Sequence, residues 1–202
     1  PPGTVLPPQN NQFWHEGLAA AGGAAETGDH FGEVLAAGDL DGDFIDELAI
    51  GAPAEDVSFH PDAGAVTVLR GAALLGLTTD SATLFDQSGV VDGETLGDFD
   101  NFGYSLRIGD FVDGSSAGND LAIGIPQESV GSPTPFAFVG AVTVIPGGGG
   151  TLELGAATLW SKGYFGSAGT QVDSREYYGY ALAAGMDLVD LPGGKTMAYV
   201  AY

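Results

Sequence analysis

Three segments of the chain are versions of one another: FGEVLAAGDLDGDFIDELAIGAP from Phe31, FGYSLRIGDFVDGSSAGNDLAIGIP from Phe102 and YGYALAAGMDLVDLPGGKTMAYVAY from Tyr178. A chain of this kind must fold as units that stack on their own copies, because one unit cannot bury its apolar face alone. Two further elements recur in step: GAVTVLRG from Gly64 with GAVTVIPG from Gly140, and more loosely TLFDQSG from Thr83 with TLWSKG from Thr158. Short Val, Ile and Leu runs bounded by glycine-rich turns read as strands. Each period therefore predicts four of them, at 31–37, 47–52, 64–70 and 82–87 and again at 102–108, 120–125, 139–145 and 157–162. The third period begins at Tyr178 and contains two.

Glycine supports this reading, since 34 of 202 residues is more than twice the usual share of about 7% while 44% of the chain remains hydrophobic. Such a chain is too apolar to be disordered and has the turns of an all-β fold. Four antiparallel strands per unit predict the four-stranded blades of a β-propeller. The units fall at 31–101, 102–177 and 178–202, with an outer strand and linker before them at 1–30. One outer strand, two full blades and two strands of a third make about 2.75 blades, against the roughly 4–8 that close a ring. The expected remedy is either a longer propeller or self-association through the open blade edge. Leu48, Ile50, Val66, Val68, Leu121, Ile123, Val142 and Val144 alternate with small residues and are expected in the core.

Charge removes several functions. With 5 Lys plus Arg against 27 Asp plus Glu, the net charge of −22 excludes a binder of nucleic-acid backbone. No apolar run approaches the roughly 20 residues of a membrane span. PPGTVLPPQNNQFW has neither the basic nor the apolar region of a signal peptide. The absence of cysteine removes disulfides and thiol chemistry. His15, His30 and His60 fall in different parts of the repeat, and no motif ties one to a serine nucleophile. Self-repulsion at this charge predicts that stability rises with ionic strength. A melting temperature that stays flat from low to molar salt, without calcium, would show that general repulsion does not limit the fold.

One segment has the spacing of an ion site. In DLDGDFIDE, Asp39, Asp41 and Asp43 occupy alternate positions, Ile45 can offer a carbonyl, and Glu47 follows. Hard oxygen donors on a short loop suit Ca²⁺, which takes 6–8 ligands at variable geometry, better than Mg²⁺ with its strict octahedron. The second repeat keeps Asp110, Asp113 and Asp120 in a longer loop without the alternation, a less regular second candidate. In the third, Met186 and Thr196 stand at the first and last ligand positions, and Asp187 alone is not expected to bind.

The Phe-Gly and Gly-Ala-Pro landmarks resemble the FG-GAP repeat family, whose best-known members are the integrin α-subunit heads. GAPAEDVSFHPDAGAVTVL from Gly51 and NQFWHEG from Asn11 are most similar to its bacterial secreted branch. The resemblance implies that NQFWHEG is a fourth blade strand and that DLDGDFIDE is a calcium hairpin between the first two strands. The sequence departs from that pattern at Phe44, where glycine is usual, and at Glu47, where aspartate is. It further implies an extracellular or cell-surface, non-catalytic module that binds a protein or glycan. The alternatives are the propeller part of a secreted hydrolase or lyase, with Glu55 and Asp56 the first suspects, and a structural repeat of a surface layer or filament. Loops at 54–63, 88–101, 126–138 and 163–177 are expected together opposite the calcium hairpins. They bring Asp56, Phe59, His60, Phe136, Phe138, Tyr164, Phe165, Arg175 and Tyr177 to one face, where varied aromatic loops either bind a ligand or cap the blade edges, and no individual ligand-binding residue is assigned.

Overall fold

A computed structural model describes residues 11–18, 24–90, 96–112, 118–129, 138–161 and 177–183, and the backbone of 184–185 and 197–201. Strands β1 (Val34–Gly38), β2 (Glu47–Ala52), β3 (Ala65–Ala72) and β4 (Gly76–Phe85) form one antiparallel meander in that order. A second sheet repeats it with β5 (Ser105–Gly109), β6 (Asp120–Ile125), β7 (Ala141–Ile145) and, after a two-residue hairpin β8 (Gly147–Gly148) and β9 (Thr151–Leu152), β10 (Thr158–Trp160). Strands β11 (Ala181–Gly185) and β12 (Met197–Ala201) pair as the first two strands of a third copy. None of the described helices is long and apolar enough to cross a membrane.

Alternation along each strand sends side chains to two different cores, so both faces of a sheet are buried. In β2 and β3, Ala49, Val66 and Val68 join Leu106, Leu121, Ile123 and Ile125 of the next sheet. Ile50 and Leu69 face the other way, under Trp14 and Phe31, with Leu48 half-buried beside them. In the second sheet Val142 and Val144 turn onward to Leu182 and Tyr178. The stack is thus residues 11–18, first sheet, second sheet, third pair of strands. The expected core residues are buried, Leu48 partly.

The Phe-Gly landmark is a turn rather than the start of a strand. Gly32, Gly103 and Gly179 have φ of 88°, 90° and 87°, outside the extended region, so no strand can start before them. The same bond closes each turn: Glu33 to His30, Tyr104 to Asn101 and Tyr180 to Tyr177. The first strands therefore begin at Val34 and Ser105, three residues later than expected. In the first blade the last strand begins earlier, at Gly76, because β3 runs on past a bulge between Val68 and Arg70 into a tight hairpin.

NQFWHEG is not a strand. Residues 11–15 join no strand ladder, and Glu16–Leu18 form a 3₁₀ turn. The Gln12 side chain takes the place of a neighbouring backbone, its Nε2 donating to the Leu77 carbonyl and its Oε1 accepting from the Leu77 N–H, both at 2.8 Å.

Candidate metal centre

The loop between β1 and β2 brings Asp39, Asp41 and Asp43 together. Each offers a carboxylate oxygen within 4.8 Å of the others. Local bonding sets this arrangement. Asp39 Oδ1 accepts from the Gly42 and Asp43 N–H groups, its Oδ2 accepts from Phe44, Asp41 Oδ1 accepts from Asp43, and Asp43 Oδ1 accepts from Ile45. Gly42 and Phe44 both sit at positive φ, 83° and 69°. The position where glycine is usual therefore keeps a glycine-like conformation despite the Phe44 side chain, which is 95% exposed.

The facing charge on this loop is Arg70, which the sequence reading did not single out. Its Nη2 lies 2.9 Å from Asp41 Oδ2 and 3.2 Å from Asp43 Oδ2. The Asp43 hydrogen bond, then the Asp41 charge, push the guanidinium pKa further up. The signal was present in the repeat, since GAVTVIPG carries Pro146 where GAVTVLRG carries Arg70. Asp41, with a side chain 5% exposed, is thus a nearly buried carboxylate that takes a cation partner. A donor set of this chemistry fits a hard cation, and Asp39, Asp41 and Asp43 would hold it.

Glu47 stands outside that triad. Its Oε2 accepts from the Leu40 N–H at 2.8 Å and its Oε1 from Gly71 at 3.3 Å, so it clamps the loop to β3. Burial, opposed by those two bonds and reinforced by Asp41 and Asp43, raises its pKa. Asp120 repeats the clamp in the second sheet, accepting from Phe111, Val112 and Gly147. Asp110 is exposed, and Asp113 lies outside the described residues, as do Met186, Asp187 and Thr196. Beside the first loop a cleft of about 370 Å³ is lined by Asp41, Glu47 and Arg70 and by Thr151 and Leu152 of the second sheet's hairpin.

The opposite end gathers other loops. Phe99 and Asn101 N–H groups donate to Pro61 and Asp62, His60 Nδ1 is 2.8 Å from Asp98, and the Tyr177 N–H reaches Phe138. Phe59 there is 97% exposed, Tyr177 is 40% exposed, and Asp56 accepts from the Asp62 N–H. Phe136, Tyr164, Phe165 and Arg175 lie outside the described residues. Glu55 is buried with Glu16 and Asp29, a cluster that sequence reading missed.

Burial, then the adjoining Glu16 and after it Asp29 and Glu26, push Glu55 up to about 8, and Glu16 is raised by burial as well. A carboxyl whose folded pKa exceeds its unfolded value holds more protons when folded, so stability is lost as pH rises between the two. In chelated buffer the chain should lose up to about 1.4 kcal/mol per pH unit across this window. Glu55→Gln should flatten that slope in urea titrations from pH 5 to 8, leaving the part that Glu16 and Glu47 carry; an unchanged slope would exclude Glu55 as its main source.

Two stacked four-stranded meanders opened by Phe-Gly turns, followed by a strand pair opened by a Tyr-Gly turn, define an all-β protein of the blade type found in β-propellers. Residues 31–69 match the FG-GAP repeat. The chain thus contains one segment that matches this repeat, and the matched span runs from the Phe31 turn through the acidic loop to β3. No curated protein matches it.

Proposed function

We propose that this is a non-catalytic, extracellular or cell-surface binding module whose blade is stabilised by Ca²⁺ and whose ligand is a protein or a glycan. The convergence of the Asp39, Asp41 and Asp43 carboxylates in the first hairpin loop of an FG-GAP repeat carries the calcium reading. Millimolar free calcium is needed only by sites of modest affinity, and three carboxylates on a short exposed loop suit an extracellular module of that kind. The ion would neutralise the loop and free Arg70. The ligand face is the loop cluster at the other end, where Phe59 and Tyr177 present uncovered aromatic surface on a rigid sheet scaffold.

The test is retention of the chain on arrays of glycans and extracellular proteins, in calcium and in chelator, alongside a panel of glycosides and esters. Calcium-dependent retention without turnover is expected. Turnover that Glu55→Gln or Asp56→Asn abolishes would make the protein an enzyme instead. Calcium-independent assembly of the chain into filaments would make it structural.

A further inference from the structure

The cluster at Glu16, Asp29 and Glu55 has a counterpart in the second repeat at Gln87, Asp100 and Glu128. The two are built alike. Glu16 and Gln87 each open a three-residue 3₁₀ turn. Asp29 Oδ2 accepts from the Glu26 N–H at 2.6 Å, as Asp100 Oδ2 does from Gly97 at 2.7 Å. The Glu55 and Glu128 carbonyls accept from Gly64 and Gly140, both at 3.0 Å. All six side chains are buried.

They differ in one group. In the second repeat the Gln87 amide donates to Glu128 Oε2, leaving one neutral amide oxygen without a partner. In the first, an acid replaces that amide and, once ionised, supplies no donor. Glu16 Oε1 and Glu55 Oε2 are buried with no partner, on side chains only 6% and 7% exposed. Oxygens of Glu16, Asp29 and Glu55 nevertheless lie within 4.8 Å of one another. Among the described residues Arg70 is engaged at the acidic loop and Arg107 bonds the Leu106 carbonyl, so neither neutralises them. Unpaired carboxylates at this burial are costly unless a cation joins them. A cavity of about 310 Å³ opens at Glu55 and is lined by Glu26, Asp56 and Asp86, which makes an acidic approach for such a cation.

We propose that Glu16, Asp29 and Glu55 bind a hard divalent cation of the Ca²⁺ class, which fastens the segment carrying Trp14 to the outer face of the first sheet. This site is separate from the Asp39–Asp41–Asp43 loop. Calcium titration of the chelated 202-residue chain by calorimetry tests it, with bound equivalents as the readout. Glu16→Gln copies the second repeat's solution and should lower the count by one ion while raising the ion-free melting temperature. Glu55→Gln should lower it by the same one ion. Asp41→Ala should remove a different ion, so Asp41→Ala with Glu16→Gln should lose two. An unchanged count in both Glu16→Gln and Glu55→Gln would overturn the site, leaving the cluster with a proton in place of a metal. Loss of an ion in Glu16→Gln but none in Asp41→Ala would uphold this site and reject the loop.

Discussion

Gly51→Ala should cost about 3 kcal/mol of stability, whereas Gly155→Ala should stay within about 0.5 kcal/mol of wild type. Gly51 lies on β2 at the sheet-to-sheet contact. A Cβ there would run into the Gly103 carbonyl oxygen of the next repeat's Phe-Gly turn and stand 2.5 Å from Val34 Cγ1. The obstacle is backbone on one side and a stiff β-branched side chain on the other, so neither yields cheaply. Gly124 repeats the contact one sheet further on, where a Cβ would meet Gly179 and the Ser105 hydroxyl that donates to the Gly179 carbonyl at 2.7 Å. Gly155 has open space around its Cβ position and no positive φ. Urea titrations of Gly51→Ala, Gly124→Ala and Gly155→Ala measure the difference. Near-neutral Gly51→Ala and Gly124→Ala would mean that the sheets do not stack at this spacing.

Calcium should have an effect of similar size. Chelation should lower the melting temperature of wild type, and an ion bound only by the folded loop contributes about 2.7 kcal/mol at 100 times its dissociation constant. Asp41→Ala should melt low and lose the larger part of its response, because the Asp41 side chain is only 5% exposed and is an Arg70 partner. Asp46→Asn removes the same charge from an exposed neighbour outside the triad and should keep the response. Equal losses in the two variants would reduce the calcium effect to general screening of a chain with net charge −22.

The blades were legible because a repeat reports its own boundaries. β2 and β6 fall at the residues expected of them, 47–52 and 120–125, since each is a short apolar run between turn signals. The first strands were placed early because Phe31-Gly32 and Phe102-Gly103 read as strand residues until the positive φ of the glycines is known. NQFWHEG failed as a strand for a reason no propensity carries: Gln12 uses its side-chain amide to do what a strand backbone would do. The acidic loop was legible from spacing within five residues, but Arg70 and the inward turn of Glu47 depend on the β2–β3 register. Glu16, Asp29 and Glu55 are too far apart in the chain for any spacing rule. The replacement of Gln87 by Glu16 between aligned repeats was the one clue to them.

A crystal grown in calcium, measured for anomalous difference density at long wavelength, tests the central claim most directly. The expected result is a peak between Asp39, Asp41 and Asp43, within about 2.3–2.6 Å of a carboxylate oxygen from each, with the Arg70 guanidinium displaced. Arg70 still bridging Asp41 and Asp43 in saturating calcium, with no peak in the loop, would contradict it.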